Sequence, residues 1–204
     1  MHLLGQKTLG VLILFLLGML VIVKQIATGS VLDKPKGNLM VQLVNIFNLF
    51  FLLVVNPAAA ILLITRHLTT IDPTHMVIDE LWTLMTLEIA GLILYVIGFL
   101  LMAGALITLR RSYQLGGSAP RSEDKMIMDG PYRLVRHPMY TAALSISLGL
   151  ACLIQSGAFF CVFGIYLVLM VPLIPMEEDG LQKAYGEQYA TYRQKVRKLI
   201  PFVY

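Results

Sequence analysis

Two short polar segments in an otherwise apolar chain hold most of the side chains whose types and spacing suit chemistry. The first reads Asp124-Lys-Met-Ile-Met-Asp-Gly-Pro-Tyr-Arg-Leu-Val-Arg-His-Pro-Met-Tyr140. Its Gly130-Pro131 pair marks a turn. His137-Pro138 marks a second boundary, because proline suits the first position of a helix that starts there. Such a helix start carries unpaired backbone donors and is a natural seat for a carboxylate. The second segment begins Pro175-Met-Glu177-Glu178-Asp179-Gly-Leu181. An acidic pair at the opening of a helix favours the helix dipole. This pair, however, emerges directly from an apolar run, where ionised groups are costly and usually functional. Glu177 or Glu178 is therefore a candidate to orient a ligand or to take a proton from an amine acceptor.

The elements that must position these residues are membrane helices. The chain has 204 residues, 57% of them hydrophobic and only 14% charged, against roughly 25% charged in soluble domains. A span needs about 20 mostly apolar residues. Five stretches qualify or nearly do: 8–23, 41–65, 84–109, 138–154 and 157–174. The expected fold is an all-α integral membrane protein forming one domain over residues 1–204. Residues 8–110 supply three spans, and residues 111–204 supply a loop, a two-span hairpin and a C-terminal helix. The first stretch has the look of a signal peptide, but Lys24 reads as a stop and the stretch is expected to remain as a span. Asn56-Pro57 should kink the second span. Asn45 and Asn48 are expected to hydrogen-bond between helices, and Glu88 to sit at the membrane interface. Cys152 and Cys161 lie in apolar runs and are expected to pack as small hydrophobes.

Orientation follows from the lysines and arginines. Alternating sides of the five spans divides the sixteen cations fourteen to two. The positive-inside rule then sets the N-terminus outside and the 110–136 loop and the tail in the cytoplasm. The turn Gln155-Ser156-Gly157 makes the last two spans a tight antiparallel hairpin, which returns the tail to the side of the loop. In that tail, Leu181, Tyr185, Tyr189, Tyr192, Val196 and Leu199 recur at the helical period. Lys183, Arg193, Lys195, Arg197 and Lys198 supply the other side. An amphipathic helix on the inner leaflet is expected.

The Gly130-to-Tyr140 run, the hairpin, and then Glu-Glu-x-x-Leu-x-x-x-Tyr-Gly-x-x-Tyr-x-x-Tyr together resemble the isoprenylcysteine carboxyl methyltransferase family. The likeness covers about 124–201, and looser versions of the pattern occur in phospholipid N-methyltransferases and in NADPH-dependent membrane sterol reductases. The resemblance implies S-adenosyl-L-methionine as cofactor. By position it implies cofactor contacts at Asp124, Lys125, Met126, Ile127, Tyr132, His137, Pro138, Met139 and Tyr140, and a functional glutamate at Glu177. Where eukaryotic members have an arginine four residues before that glutamate, this chain has Leu173, so Arg133 or Arg136 is the candidate to meet an acceptor carboxylate. Catalytic candidates are thus Glu177, Glu178, Arg133 and Arg136.

The residues themselves are compatible with a methyl donor. There is no G-x-G-x-x-G after a strand, as a Rossmann site would need, and no His or Cys spacing that suggests a metal site. Methyl transfer asks mainly for alignment of donor and acceptor. An ionised carboxylate needs no base, and a dry pocket favours the collapse of opposite charges. The expected partners are membrane lipids and a lipidated or lipid-like acceptor entering from the bilayer, with no nucleic acid. The expected activity is methylation of a C-terminal prenylcysteine carboxylate. A phospholipid amine methyltransferase, an NADPH-dependent reductase and a membrane scaffold remain the alternatives.

Overall fold

The computed structural model describes residues 5–32, 39–113 and 125–200. The chain is an all-α multi-pass membrane protein. Its helices are α1 (Gln6–Thr28), α2 (Leu39–Phe50), α3 (Asn56–Thr65), the single turn α4 (Leu68–Ile71), α5 (Leu81–Leu109), α6 (Pro138–Ile154), α7 (Gly157–Met170) and α8 (Leu173–Lys195), the last kinked at Gly186 (φ 51°). A π turn, Phe51–Val55, joins α2 to α3 into one 27-residue span. At 1.5 Å per residue, α1, the α2–α3 unit and α5 each exceed the ~30 Å hydrocarbon core. The 17 residues of α6 sit at the lower limit for a span.

The π turn lies where Pro57 cannot donate to the preceding turn. The backbone N–H and side-chain amide of Asn56 both donate to the Phe51 carbonyl, the latter at 3.1 Å. Tyr95 on α5 donates its hydroxyl to Asn56 Oδ1 at 2.9 Å. The kink expected at Asn56-Pro57 is therefore a bulge fastened to a neighbouring helix. Asn45 donates within its own helix, to Val41 O at 2.8 Å. Glu88 lies two turns into α5 and is buried against the protein. Cys152 is buried, whereas Cys161 is exposed on α7.

Glycines set the close contact between α5 and α6. A Cβ on Gly149 would stand 2.6 Å from Tyr95 N, and one on Gly98 would stand 2.9 Å from Ala142 O. Small residues let α5 and α6 approach backbone to backbone, the usual basis of helix association where lipid removes the hydrophobic drive. At the far end of the α6–α7 hairpin, Gln155 adopts φ 56°, and Thr74 holds the turn through Gly157 N–H···Thr74 O at 3.0 Å and Ala158 N–H···Thr74 Oγ1 at 2.9 Å.

Three boundaries differ from expectation. α1 continues to Thr28, so Lys24 lies inside the helix rather than ending it. α7 stops at Met170 and α8 begins at Leu173, because Pro172 has no N–H to extend the ladder. Pro175 is tolerated in the first turn of α8, where backbone donors are unpaired anyway. Glu177 and Glu178 consequently lie in the second turn of α8 and do not open it. Finally, helix ends at Lys195, and residues 196–199 run extended beside the 135–137 segment, with a parallel bridge from Val135 to Arg197.

Candidate functional site

The site begins with the way the 125–137 loop is seated on α5. Gly130 adopts φ 57°, a left-handed conformation that glycine tolerates, and a Cβ there would meet Thr108 Oγ1 at 2.7 Å. Pro131 rests against Gly104 of the same helix. The short turn Gly130–Arg133 then leads into an extended stretch that starts α6 at Pro138.

The extended stretch is stitched to the tail. Arg136 N–H donates to Arg197 O at 2.7 Å and His137 N–H to Lys198 O at 3.1 Å. Thr141 Oγ1 donates to Leu199 O at 2.8 Å, and Tyr192 Oη to Tyr132 O at 2.6 Å. The two polar segments recognised in the sequence are thereby brought together.

Within this seam the acidic pair divides its work. Glu178 is buried, and its Oε1 accepts from Arg136 Nη2 at 2.6 Å and Nε at 3.0 Å, with His137 Nε2 at 3.3 Å. Arg136 Nη1 also donates to the carbonyls of Arg193 and Val196. Burial alone would raise the Glu178 pKa, but the His137 and Arg136 hydrogen bonds and charges outweigh it and hold the carboxyl down at about 2. Glu177 points instead to a cavity. Its Oε2 accepts from Tyr140 Oη at 2.6 Å and stands 4.0 Å from His137 Nδ1. The His137 and Tyr140 rings are stacked, with centroids 5.6 Å apart and planes 13° apart.

The cavity has a volume of about 300 Å³, at the lower end for small-molecule sites. Lys125, Met126, Ile127, Tyr132, His137, Pro138, Met139, Tyr140 and Glu177 all line it. Away from these residues it runs between the helices, past Leu20, Val44, Phe51, Met102, Ile146 and Tyr166. Ile146 is six residues beyond Tyr140 on α6, which carries the apolar part about 9 Å inward along the helix. Tyr189 Oη, on the wall, is buried near the Arg136 guanidinium and has no well-formed hydrogen bond among the described residues. Burial pushes the Tyr132 hydroxyl pKa well up, with the Glu177 charge adding to it, so the group stays a neutral donor.

Among the candidates named from sequence, Asp124 lies outside the described residues. Arg133 is not on the cavity wall: its side chain is 75% exposed and pairs with Asp129 at 2.8 Å. Arg136 borders the cavity but spends its donors on Glu178 and the tail. The apolar face expected to lie on lipid in fact packs inward, with Tyr185, Tyr189 and Tyr192 closing the cavity. Sequence reasoning did not place Lys24 or Tyr113 at the site and read Asn45 and Asn48 as interhelical hydrogen-bonding residues; all four line the cavity. The only signal for the asparagines was their polarity inside a span.

The family model for phospholipid methyltransferase matches residues 86–188, from α5 into α8. The chain belongs to the phospholipid methyltransferase family. It is 31% identical over 115 residues to protein-S-isoprenylcysteine O-methyltransferase B of Arabidopsis thaliana, covering 55% of this chain and 58% of that protein. It is 30% identical over 115 residues to a probable protein-S-isoprenylcysteine O-methyltransferase of Oryza sativa subsp. japonica, covering 55% of this chain and 60% of that one. Over 81 residues it is 30% identical to a cobalt-zinc-cadmium resistance protein of Cupriavidus metallidurans, 40% of this chain and 38% of that protein. The match thus spans about three fifths of the length of the two methyltransferases. It bears out the resemblance read from the paired motifs.

Proposed function

We propose that this chain is a membrane methyltransferase that uses S-adenosyl-L-methionine to methylate the carboxylate of a C-terminal prenylcysteine, at a site facing the cytoplasm with the N-terminus outside. The observation that carries this reading is one continuous cavity, polar where the two motifs meet and apolar between the helices. A polar donor and a lipid-tailed acceptor have to meet in such a space. The names of the plant relatives supply the acceptor class.

The wall fits the donor. Glu177 offers a carboxylate to its cationic groups and Lys125 an ammonium to its carboxylate. Tyr132, Tyr140 and His137 offer rings to its adenine, and the Tyr189 hydroxyl lacks a well-formed bond. When bound, S-adenosyl-L-methionine supplies the methyl group; the chain's residues orient the partners and exclude water. Tyr185, Tyr189 and Tyr192 of α8 wall the polar end, and excluding water there would strengthen each electrostatic contact. A carboxylate acceptor accepts methyl without losing a proton, so no side chain has to act as base.

The family's own name supports a second reading, a phospholipid amine as acceptor. Glu177 is then the group placed to take the ammonium proton. Purified protein incubated with labelled S-adenosyl-L-methionine and a panel of acceptors separates the two. Label in a base-labile ester on prenylcysteine supports the first reading, and label only in phospholipid amine overturns it in favour of the second.

A further inference from the structure

A buried hydroxyl left without a partner is costly, because folding takes away its water and puts no other bond in place. Tyr189 carries such a group. The residue is 1% exposed, it lines the cavity, and its Oη has no well-formed hydrogen bond among the described residues. Two neighbouring hydroxyls on the same wall are committed. Tyr192 Oη donates to Tyr132 O at 2.6 Å, and Tyr140 Oη donates to Glu177 Oε2 at 2.6 Å. Tyr189 and Tyr192 follow the kink at Gly186 and have ring centroids 6.2 Å apart. One of these two hydroxyls closes the seam between the polar segments, and the other is left over.

The nature of the missing partner follows from what surrounds the hydroxyl. Arg136 lies beside it and also lines the cavity, and its Nη1 donates to the carbonyl of Arg193, one turn beyond Tyr189. A guanidinium has hydrogens to donate and no lone pair to offer. Whatever Arg136 donates to Tyr189 Oη, the hydrogen of the phenol itself still lacks an acceptor. Glu178 Oε1 receives Arg136 and His137, and Tyr189 is not bonded to it. Burial pushes the Tyr189 hydroxyl pKa up, so the group stays neutral and keeps its proton. What the wall presents at this point is a hydrogen-bond donor waiting for an acceptor.

An acceptor atom on a molecule in the cavity completes the bond. A carboxylate fits best: it only accepts, it tolerates a guanidinium close by, and O–H···carboxylate bonds are short and strong. We propose that Tyr189 is a binding residue whose hydroxyl donates to the carboxylate of a molecule held in the cavity. The inference rests on the function proposed above, in which the methyl donor and the acceptor each bring one carboxylate.

The test is equilibrium binding in detergent to two pairs of probes. One pair is S-adenosylhomocysteine and its decarboxylated counterpart, S-adenosyl-3-thiopropylamine; the other is N-acetyl-S-farnesylcysteine and its carboxamide. Tyr189→Phe removes the hydroxyl and keeps the ring. In at least one pair it should weaken the carboxylate-bearing probe by about 10-fold or more, as expected for a hydrogen bond to a charged group. The carboxylate-free member of that pair should bind within about 2-fold of wild type. A response in the first pair assigns the bond to the methyl donor, and a response in the second assigns it to the acceptor. The Tm of the unliganded variant should stay within about 3 °C of wild type, since no bond inside the protein is lost. A variant that binds both carboxylate probes like wild type, or that weakens both members of each pair equally, overturns the role of Tyr189 and leaves the proposed function standing. A larger fall in Tm shows that the hydroxyl is already bonded within the protein and overturns the role as well. Wild-type protein that binds neither carboxylate probe overturns the proposed function, and the role of Tyr189 with it.

Discussion

Arg136 and Glu178, 42 residues apart in sequence, meet at 2.6 Å with both side chains almost wholly buried. This pair joins the start of α6 to the second turn of α8, and the remaining Arg136 donors hold the extended tail. Breaking such a pair strands the arginine, which costs more than the pair contributes relative to an apolar replacement. Glu178→Gln is therefore expected to destabilise the protein by roughly 3 kcal/mol, read as a lower Tm in detergent. A Tm unchanged within a degree would mean the seam is not held by this contact.

The same pair gives stability a pH dependence with a definite sign. The folded Glu178 carboxyl is held at about 2, below its ordinary 4.5. Its contribution is therefore present in full above about pH 4.5 and is lost as pH falls toward 2. The shift corresponds to roughly 3 kcal/mol. Wild type should lose stability more steeply than Glu178→Gln between these limits, and parallel curves would remove Glu178 from the acid response.

The α5–α6 contact predicts a second structural outcome. Gly149→Ala would drive a methyl group to 2.6 Å from the backbone of Tyr95. A backbone neighbour cannot rotate away, so the helices must separate, at a cost of about 1–3 kcal/mol. Gly164→Ala meets nothing within 4 Å and serves as the control. Equal Tm values for the two variants would contradict the close approach.

The helices were legible because apolar runs and prolines mark them: α6 begins at Pro138 and ends at Ile154 as read. The joining of the two polar segments was legible too, since a short hairpin returns the chain to the same side. What hydropathy cannot carry is direction. Leu20 and Val44 face the cavity, while Phe15 and Ile46 of the same helices are exposed, yet all four count alike in an apolar window. Lys24 read as a membrane stop because charge at a span's end usually is one. The tail strap escaped detection because its pairing with 135–137 is long-range and leaves no local period. Arg133 and Arg136, three residues apart, diverge because the turn Gly130–Arg133 gives way to extended chain between them.

Orientation is checked by labelling from each side. The prediction rests on the fourteen-to-two division of cations. Cysteine replacing Val77, which is 82% exposed, should react with an impermeant reagent only from outside. Cysteine replacing the exposed Lys183 should react only from the cytoplasm. Reaction of both from one side would invalidate the five-span arrangement.

Glu177 separates catalysis from architecture. It is the carboxylate on the cavity wall, while its neighbour Glu178 is consumed in the seam. Glu177→Gln keeps the shape, and a neutral amide still accepts from Tyr140. Stability should therefore change little, whereas the charge available to a cationic donor or a protonated acceptor disappears. A loss of at least ~10²-fold in turnover, or ~2.7 kcal/mol of transition-state stabilisation, is expected. Tyr140→Phe, which removes the 2.6 Å bond that orients the carboxylate, should give a smaller loss in the same direction. The contrast with Glu178→Gln is the decisive feature: one variant should fail mainly in rate, the other mainly in Tm. If Glu177→Gln turns over like wild type while S-adenosylhomocysteine binds it unchanged, Glu177 is a lining residue only.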